Sequence, residues 1–192
     1  IDAKKQMRYR THYFDTNALD FYFDHHNQHA SRMKVRMREY VDSDLSFLEI
    51  KEKQNTGRTA KKRTRIPDLH TNMSAEDRQY IQKITGFSED LHLSLTNKFK
   101  RITLVHKRLQ ERFTIDADLS FLRGEQSHSL PNVVVAEIKQ ERASRDTPSF
   151  RIMRSLGLRP MGMSKYCLGT LLLRPGIKYN RFKPTLLYLN KL

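Results

Sequence analysis

Glutamate stands two residues before lysine at Glu49-x-Lys51 and again at Glu137-x-Lys139. In an extended chain, side chains two apart share a face, so each pair sets a carboxylate beside an ammonium. That arrangement suits a divalent metal on the carboxylate next to phosphate oxygens on the lysine. Residues 33–40 sort the same way, with Lys34, Arg36 and Arg38 on one face and Met33, Val35 and Met37 on the other. Later in the chain Arg101, Thr103 and Lys107 oppose Ile102 and Leu104, and Arg112, Thr114 and Asp116 oppose Phe113 and Ile115. Guanidinium forks grip phosphate oxygens in pairs, and lysine adds compact point charge. The chemistry on offer is the gripping and neutralisation of a polyanion.

These residues need strands to position them. Period-two alternation predicts strands over residues 8–15, 33–40, 47–53, 58–66, 100–107, 111–116 and 133–141. Helices are few. Ser74-Ala75-Glu76-Asp77 reads as a cap before an amphipathic stretch holding Tyr80, Ile81, Ile84 and Phe87. A second helix starts at Asp146 or Thr147 and stops at Gly157, with Pro160 just beyond. Residues 164–173, with Leu168, Leu171 and Leu172, suit a third. Loops are expected over 67–74, 124–131 and 143–148. Many strands and few helices predict an antiparallel sheet that curls or closes.

The charged faces admit two placements. In a sandwich they are solvated and the apolar faces meet in the core, the default for alternating strands. In the inverse placement helices cover the apolar faces and the charged faces line a tunnel. The abundance of arginine and the fixed position of the acids favour the tunnel. Two cations about 7 Å apart repel by roughly 2.4 kcal/mol at an effective dielectric near 20. A tunnel of such pairs makes sense only where a dense polyanion neutralises it.

Composition agrees. Of 192 residues, 36 are Lys or Arg against 21 acids, a formal net charge of +15, which implies a polyanionic partner. A hydrophobic share of 38% supports a folded core despite 30% charged residues. The lone cysteine, Cys167, excludes a disulfide framework and a cysteine zinc finger. It reads as a packed structural thiol. No apolar run is long enough to span a membrane and residues 1–9 are no signal peptide, so a soluble cytoplasmic domain is expected. Nucleic acid fits the charge, but the basic faces carry threonine and acids where stacking aromatics would be needed, and no specific nucleic-acid partner is expected. The adjacent histidines of the run from Asp24 to His29 lack the i, i+4 spacing of a helical metal site. In the basic run 61–65, parity assigns Lys62 inward and Lys61 and Arg63 outward. Asp116 and Asp118 are open between extra metal ligands and strand-end roles.

Several stretches occur in an order that resembles a known family. They are HYFDT (12–16), KVRMREY (34–40), FLEIKEK (47–53), GRTAKKR (57–63), ERFTIDADLSF (111–121), VVVAEIKQE (133–141) and SKYC (164–167). The set resembles the vacuolar transporter chaperone (VTC) domain of polyphosphate polymerases, within the CYTH-like triphosphate tunnel metalloenzymes. The resemblance implies an α+β fold: a closed antiparallel β-barrel tunnel with a basic interior and flanking helices. It implies one such domain over 1–192, lacking the family's leading basic strand and helix. Transfer of the γ-phosphate of ATP to a polyphosphate chain, with Mn2+ or Mg2+, is the implied activity, and a triphosphatase or a non-catalytic polyphosphate-binding module are the alternatives. The implied phosphate ligands are Arg36, Arg38, Lys51, Lys62, Arg101, Arg112, Lys139, Ser164 and Lys165. Arg36, Arg38, Lys51 and Lys139 act at the reacting phosphates, and Glu137 holds the metal. Gly162 stands where some members carry a further lysine.

Overall fold

Eight antiparallel strands form one curled sheet in the computed structural model, which describes residues 6–140 and 144–191. They are β1 (Met7–Asp15), β2 (Arg32–Tyr40), β3 (Leu45–Lys53), β4 (Thr59–Ile66), β5 (His92–Val105), β6 (Glu111–Arg123), β7 (Gln126–Leu130) and β8 (Val135–Gln140). Each of the seven alternating segments falls on a strand, with Glu141 of the last one outside the described residues. Strands β5 and β6 are longer than alternation predicts, and β7 occupies the stretch expected to be a loop. Its sequence, QSHSL, lacks an apolar face because both of its faces are largely exposed.

The ladder runs β4-β3-β2-β1-β5-β6-β7, with β8 also on β6. Strand β6 serves two neighbours: residues 111–116 pair with β8 and residues 119–123 with β7. Between the halves Asp118 takes φ 53°, and the partner strand β5 bulges between Lys98 and Lys100. Bulges strengthen twist and bend a strand, which curls the sheet. Among the described residues β4 pairs only with β3 and β8 only with β6, so the sheet is a half-barrel trough rather than a closed ring.

The apolar faces point outward, as the inverse placement predicts. Met33, Val35, Met37, Leu48 and Ile50 are buried in one cluster with Ile81 of α2 (Ala75–Thr85) and Phe21 of α1 (Asp20–Asn27). Fully burying one such side chain stabilises by about 1.5–3 kcal/mol, which anchors the outer layer. The α2 start is the expected cap: the Ser74 hydroxyl accepts from the Asp77 amide, and the Asp77 carboxylate accepts from the Ser74 amide.

A second apolar cluster fills part of the concave side. Helix α4 (Lys165–Leu173) packs Tyr166, Cys167 and Leu168 among Tyr13, Leu95, Phe99, Leu119 and Phe121. The approach is close. A Cβ at Gly169 would lie 2.4 Å from Phe121 Cδ1, so only glycine lets the helix seat. The buried Asp15 carboxylate ties the parts together, accepting from the amides of Thr16, Phe21 and Tyr22 at the start of α1 and from the Tyr166 hydroxyl. Helix α3 (Pro148–Ser155) precedes α4 in the chain and α5 (Lys183–Leu189) follows it. Among the described residues no helix is long and apolar enough to cross a membrane.

Candidate functional site

Register decides which side chains enter the trough. Arg36 stands opposite Glu49 and Tyr13, Arg38 opposite Phe47 and Thr11, and Lys34 opposite Lys51. Across the sheet Arg101 faces Asp116, Arg112 faces Lys139, and Thr114 faces Glu137. Arg36, Arg38, Lys51, Arg101, Arg112, Glu137 and Lys139 therefore share the concave face, and Lys165 reaches it from α4.

Glu49 organises the first cluster. Only 1% exposed, it takes Arg36 Nε at 2.7 Å, Arg36 Nη2 at 2.6 Å and Lys61 Nζ at 2.7 Å, with Arg38 Nη1 at 4.0 Å. Burial alone would raise its pKa; the fields of Arg36 and Arg38 and the Lys61 bond outweigh burial and lower it to about 2. Burial would lower the Arg36 pKa, yet Tyr13 and Glu49 drive it above its usual value. Arg38 moves the other way, because burial and the Arg36 charge disfavour its cationic form.

Asp116 organises the second. Arg101 holds it with two bonds, Nε to Oδ1 at 2.5 Å and Nη2 to Oδ2 at 2.7 Å, and Lys165 Nζ meets Oδ2 at 2.5 Å. Against burial, these cations hold the Asp116 carboxyl below its usual range. Between the clusters Tyr9 and Phe99 stack, with centroids 5.0 Å apart and planes 4° from parallel. The Arg38 guanidinium lies 5.7 Å from the Tyr9 centroid and that of Arg101 lies 5.4 Å from it; Lys165 Nζ is 5.0 Å from that of Phe99. Aromatic faces attract such cations and keep them apart without an intervening anion.

At the β8 edge Lys139 Nζ lies 3.5 Å from Glu137 Oε1, both about half exposed. Burial lowers the Lys139 pKa against the pull of Glu137. Thr114, across from Glu137, buries a hydroxyl with no partner. Among the described residues no three His, Cys, Asp or Glu side chains gather as metal ligands. Glu49 and Asp116 are taken up by cations. Glu137 is the half-exposed one of the three, paired only with Lys139 and set across the ladder from the unpartnered Thr114 oxygen, and a hard cation needs few protein ligands when phosphate oxygens and water complete its shell.

At the other end of the trough a cavity of about 520 Å³ opens between β2, β3 and α4, lined by Lys34, Lys51 and Ser164 among others. Ser164 caps α4, its hydroxyl accepting from the Cys167 amide at 3.3 Å. Gly162 lies on the same wall.

One expectation is corrected. Lys62 stands opposite Ile50 on the outer, apolar face, whereas Lys61 bonds Glu49 in the trough and Arg63, opposite Glu49, shares that face, so the expected parity is reversed at all three. The edge strand β4 carries cations on both faces, so alternation alone gave its parity no anchor. Asp118 pairs with Lys100 at 2.8 Å where β6 bends, the strand-end position of its two readings. The Tyr9–Phe99 platform was missed, although Tyr9, Thr11 and Tyr13 alternate on the trough parity. Cys167 is buried, as its packed reading requires, and burial pushes its thiol up.

The fold is a curled antiparallel sheet with cations on its concave face and helices over part of its apolar face. The VTC domain model matches residues 2–174, and the chain belongs to the VTC domain family. Among solved structures it is similar to a Bacillus halodurans protein described as a candidate adenylate cyclase, at 11% identity and a TM-score of 0.50, covering 83% of this chain and 79% of that one. A Pyrococcus furiosus conserved hypothetical protein aligns at 12% identity and a TM-score of 0.43 over 81% of this chain and 76% of that one. A Hippeastrum protein, described as a candidate adenylyl cyclase with a dominant triphosphatase activity, aligns at 12% identity and a TM-score of 0.40 over 94% of this chain and 83% of that one. No curated protein matches.

Proposed function

We propose that the chain is the polymerase domain of a polyphosphate-making enzyme, moving the γ-phosphoryl group of ATP to the end of a polyphosphate chain. The bond between the γ-phosphorus and the β,γ-bridging oxygen breaks, a bond to the terminal oxygen of the chain forms, and ADP leaves. The observation that carries the reading is the gathering of Arg36, Arg38, Lys51, Lys61, Arg101, Arg112, Lys139 and Lys165 on one concave face. Phosphoryl transfer needs positioning and charge neutralisation above all, and such a face supplies both. Arg36, Arg38, Lys51, Lys61, Arg101, Arg112, Lys139 and Lys165 hold successive phosphates along the trough, and Ser164 marks one end. A divalent ion, Mn2+ or Mg2+, held by Glu137 with Thr114 beside it would neutralise phosphate oxygens as charge moves to the leaving group.

Incubation with ATP and manganese tests this. Chains longer than the substrate support the polymerase; release of orthophosphate alone makes the chain a triphosphatase. Tight tripolyphosphate binding with ATP left intact makes it a binding module. Glu137→Gln is expected to abolish turnover while tripolyphosphate still binds. Binding itself has a simple readout. A ligand at a hundredfold its Kd adds about 2.7 kcal/mol of stability, a melting rise on the order of 5–10 °C for this size. Tripolyphosphate is expected to exceed sulfate by most of that rise at equal ionic strength; equal shifts would remove the trough as a phosphate site.

A further inference from the structure

The 520 Å³ cavity at the end of the trough has a lining unlike the rest of it. Arg32 and Lys34 reach it from β2, Lys51 and Lys53 from β3, and Arg181 from the segment before α5, while α4 contributes Ser164 and Cys167. No carboxylate lines it, and none of these five cations makes an ion pair among the described residues. His25 of α1 stands among them. On its own helix the one neighbouring acid, Asp24, is engaged by His29 at 2.7 Å, and His26, bonded to Asn27 at 3.0 Å, carries no negative charge. The buried Nε2 of the His25 ring has no partner among the described residues.

We propose that His25 is a proton-linked phosphate ligand: when a phosphate polyanion fills this mouth, the imidazole takes up a proton on Nε2, and a turn of the ring brings that buried N–H to a phosphate oxygen. The proposal rests on the reading of the trough as a phosphate site and adds a residue and a pH dependence to it.

In the empty protein burial and the charges of Lys34, Arg32 and Lys51 push the His25 pKa down to about 3, so the ring is neutral at ordinary pH. A neutral imidazole with a bare nitrogen in a nest of cations is unused capacity for an anion. A phosphate charge in contact, at an effective dielectric near 20, multiplies the proton affinity about a thousandfold and brings the titration into the weakly acidic range. Neutralising the surrounding cations acts in the same direction. Binding should therefore tighten as pH falls, by up to about tenfold per pH unit while the ring charges in the complex alone.

Calorimetry of tripolyphosphate binding at pH 6, in two buffers of different protonation enthalpy, counts the protons taken up. Wild-type protein is expected to take up roughly half a proton or more per ligand beyond His25→Gln, and to tighten more steeply between pH 7 and 5.5. Ring nitrogen shifts of His25 in the wild-type protein, with and without tripolyphosphate, read the same event without a substitution. Binding with equal proton uptake in both proteins, or ring shifts that stay neutral in the complex, would overturn the role of His25 and leave the trough standing. Failure of tripolyphosphate to bind either protein would overturn both.

Discussion

The centre of the trough and its mouth are built from the same residue types and solve opposite problems. In the centre each buried acid is shared among cations: Glu49 by Arg36, Lys61 and Arg38, and Asp116 by Arg101 and Lys165. At the mouth Arg32, Lys34, Lys51, Lys53 and Arg181 surround a cavity with no acid in its wall among the described residues. A cation already paired with a buried carboxylate is positioned before any ligand arrives, and its charge is half spent. An unpaired cation is poorly fixed but keeps its full attraction for an anion. The centre therefore sets geometry, and the mouth supplies net charge. A polyanion lying along both would meet rigid forks at one end and an electrostatic sink at the other.

The comparison breaks first at Glu49. Glu49→Ala leaves three cations facing one another in a buried site and is expected to cost about 3–5 kcal/mol, a melting fall of roughly 6–20 °C. A loss under about 1 kcal/mol would show that the centre holds itself together without the acid. The same carboxylate gives a pH signature. Its pKa is about 2 in the folded protein against an ordinary 4.5, so it stabilises fully above the higher value and loses that contribution as pH falls toward the lower. About 3 kcal/mol should disappear over that window, and Glu49→Gln should flatten the acid limb of a stability-against-pH curve.

Next in size is Gly169→Ala. The added methyl meets Phe121, and a cost of about 1–3 kcal/mol is expected from displaced α4, with Lys165 pulled from Asp116. Urea denaturation measures it. A smaller effect separates the regions most cleanly. Lys51→Ala at the mouth should weaken tripolyphosphate binding about tenfold while changing stability in anion-free buffer by less than about 0.5 kcal/mol. If stability fell and affinity held, the two regions would have exchanged roles. The smallest contrast is between neighbours. Lys61→Ala strips one partner from Glu49 and should cost about 1 kcal/mol, whereas Lys62→Ala should be neutral within about 0.5.

Much of this was legible in the chain, and what was not failed for identifiable reasons. Strands with one apolar face announced themselves: residues 33–40 and 47–53 give β2 and β3 nearly to the residue, and their parity put Arg36, Arg38 and Lys51 in the trough. Where both faces of a strand are polar, parity has nothing to hold, and Lys62 was set inward in place of Lys61. Strand β7 reads as a loop because it sits at an edge. The first half of β5 escaped notice because its polar and apolar residues serve both the outer layer and the α4 cluster. Glu49 and Asp116 read as metal ligands or strand ends. Their use as counter-ions depends on cations brought from other strands and from α4, which only the register reveals.

The two apolar clusters on opposite sides of one sheet carry a consequence for folding fidelity. An ordinary amphipathic strand that slips by one residue exchanges a buried face for a wet one, and a single core must reject the error. Here a slip of β2 by one residue would drive Arg36 and Arg38 beneath α2 and turn Val35 and Met37 toward Glu49. Both sides would object at once, one to buried charge and the other to lost counter-ions. The alternation that lines the trough thus proofreads its own pairing from two directions.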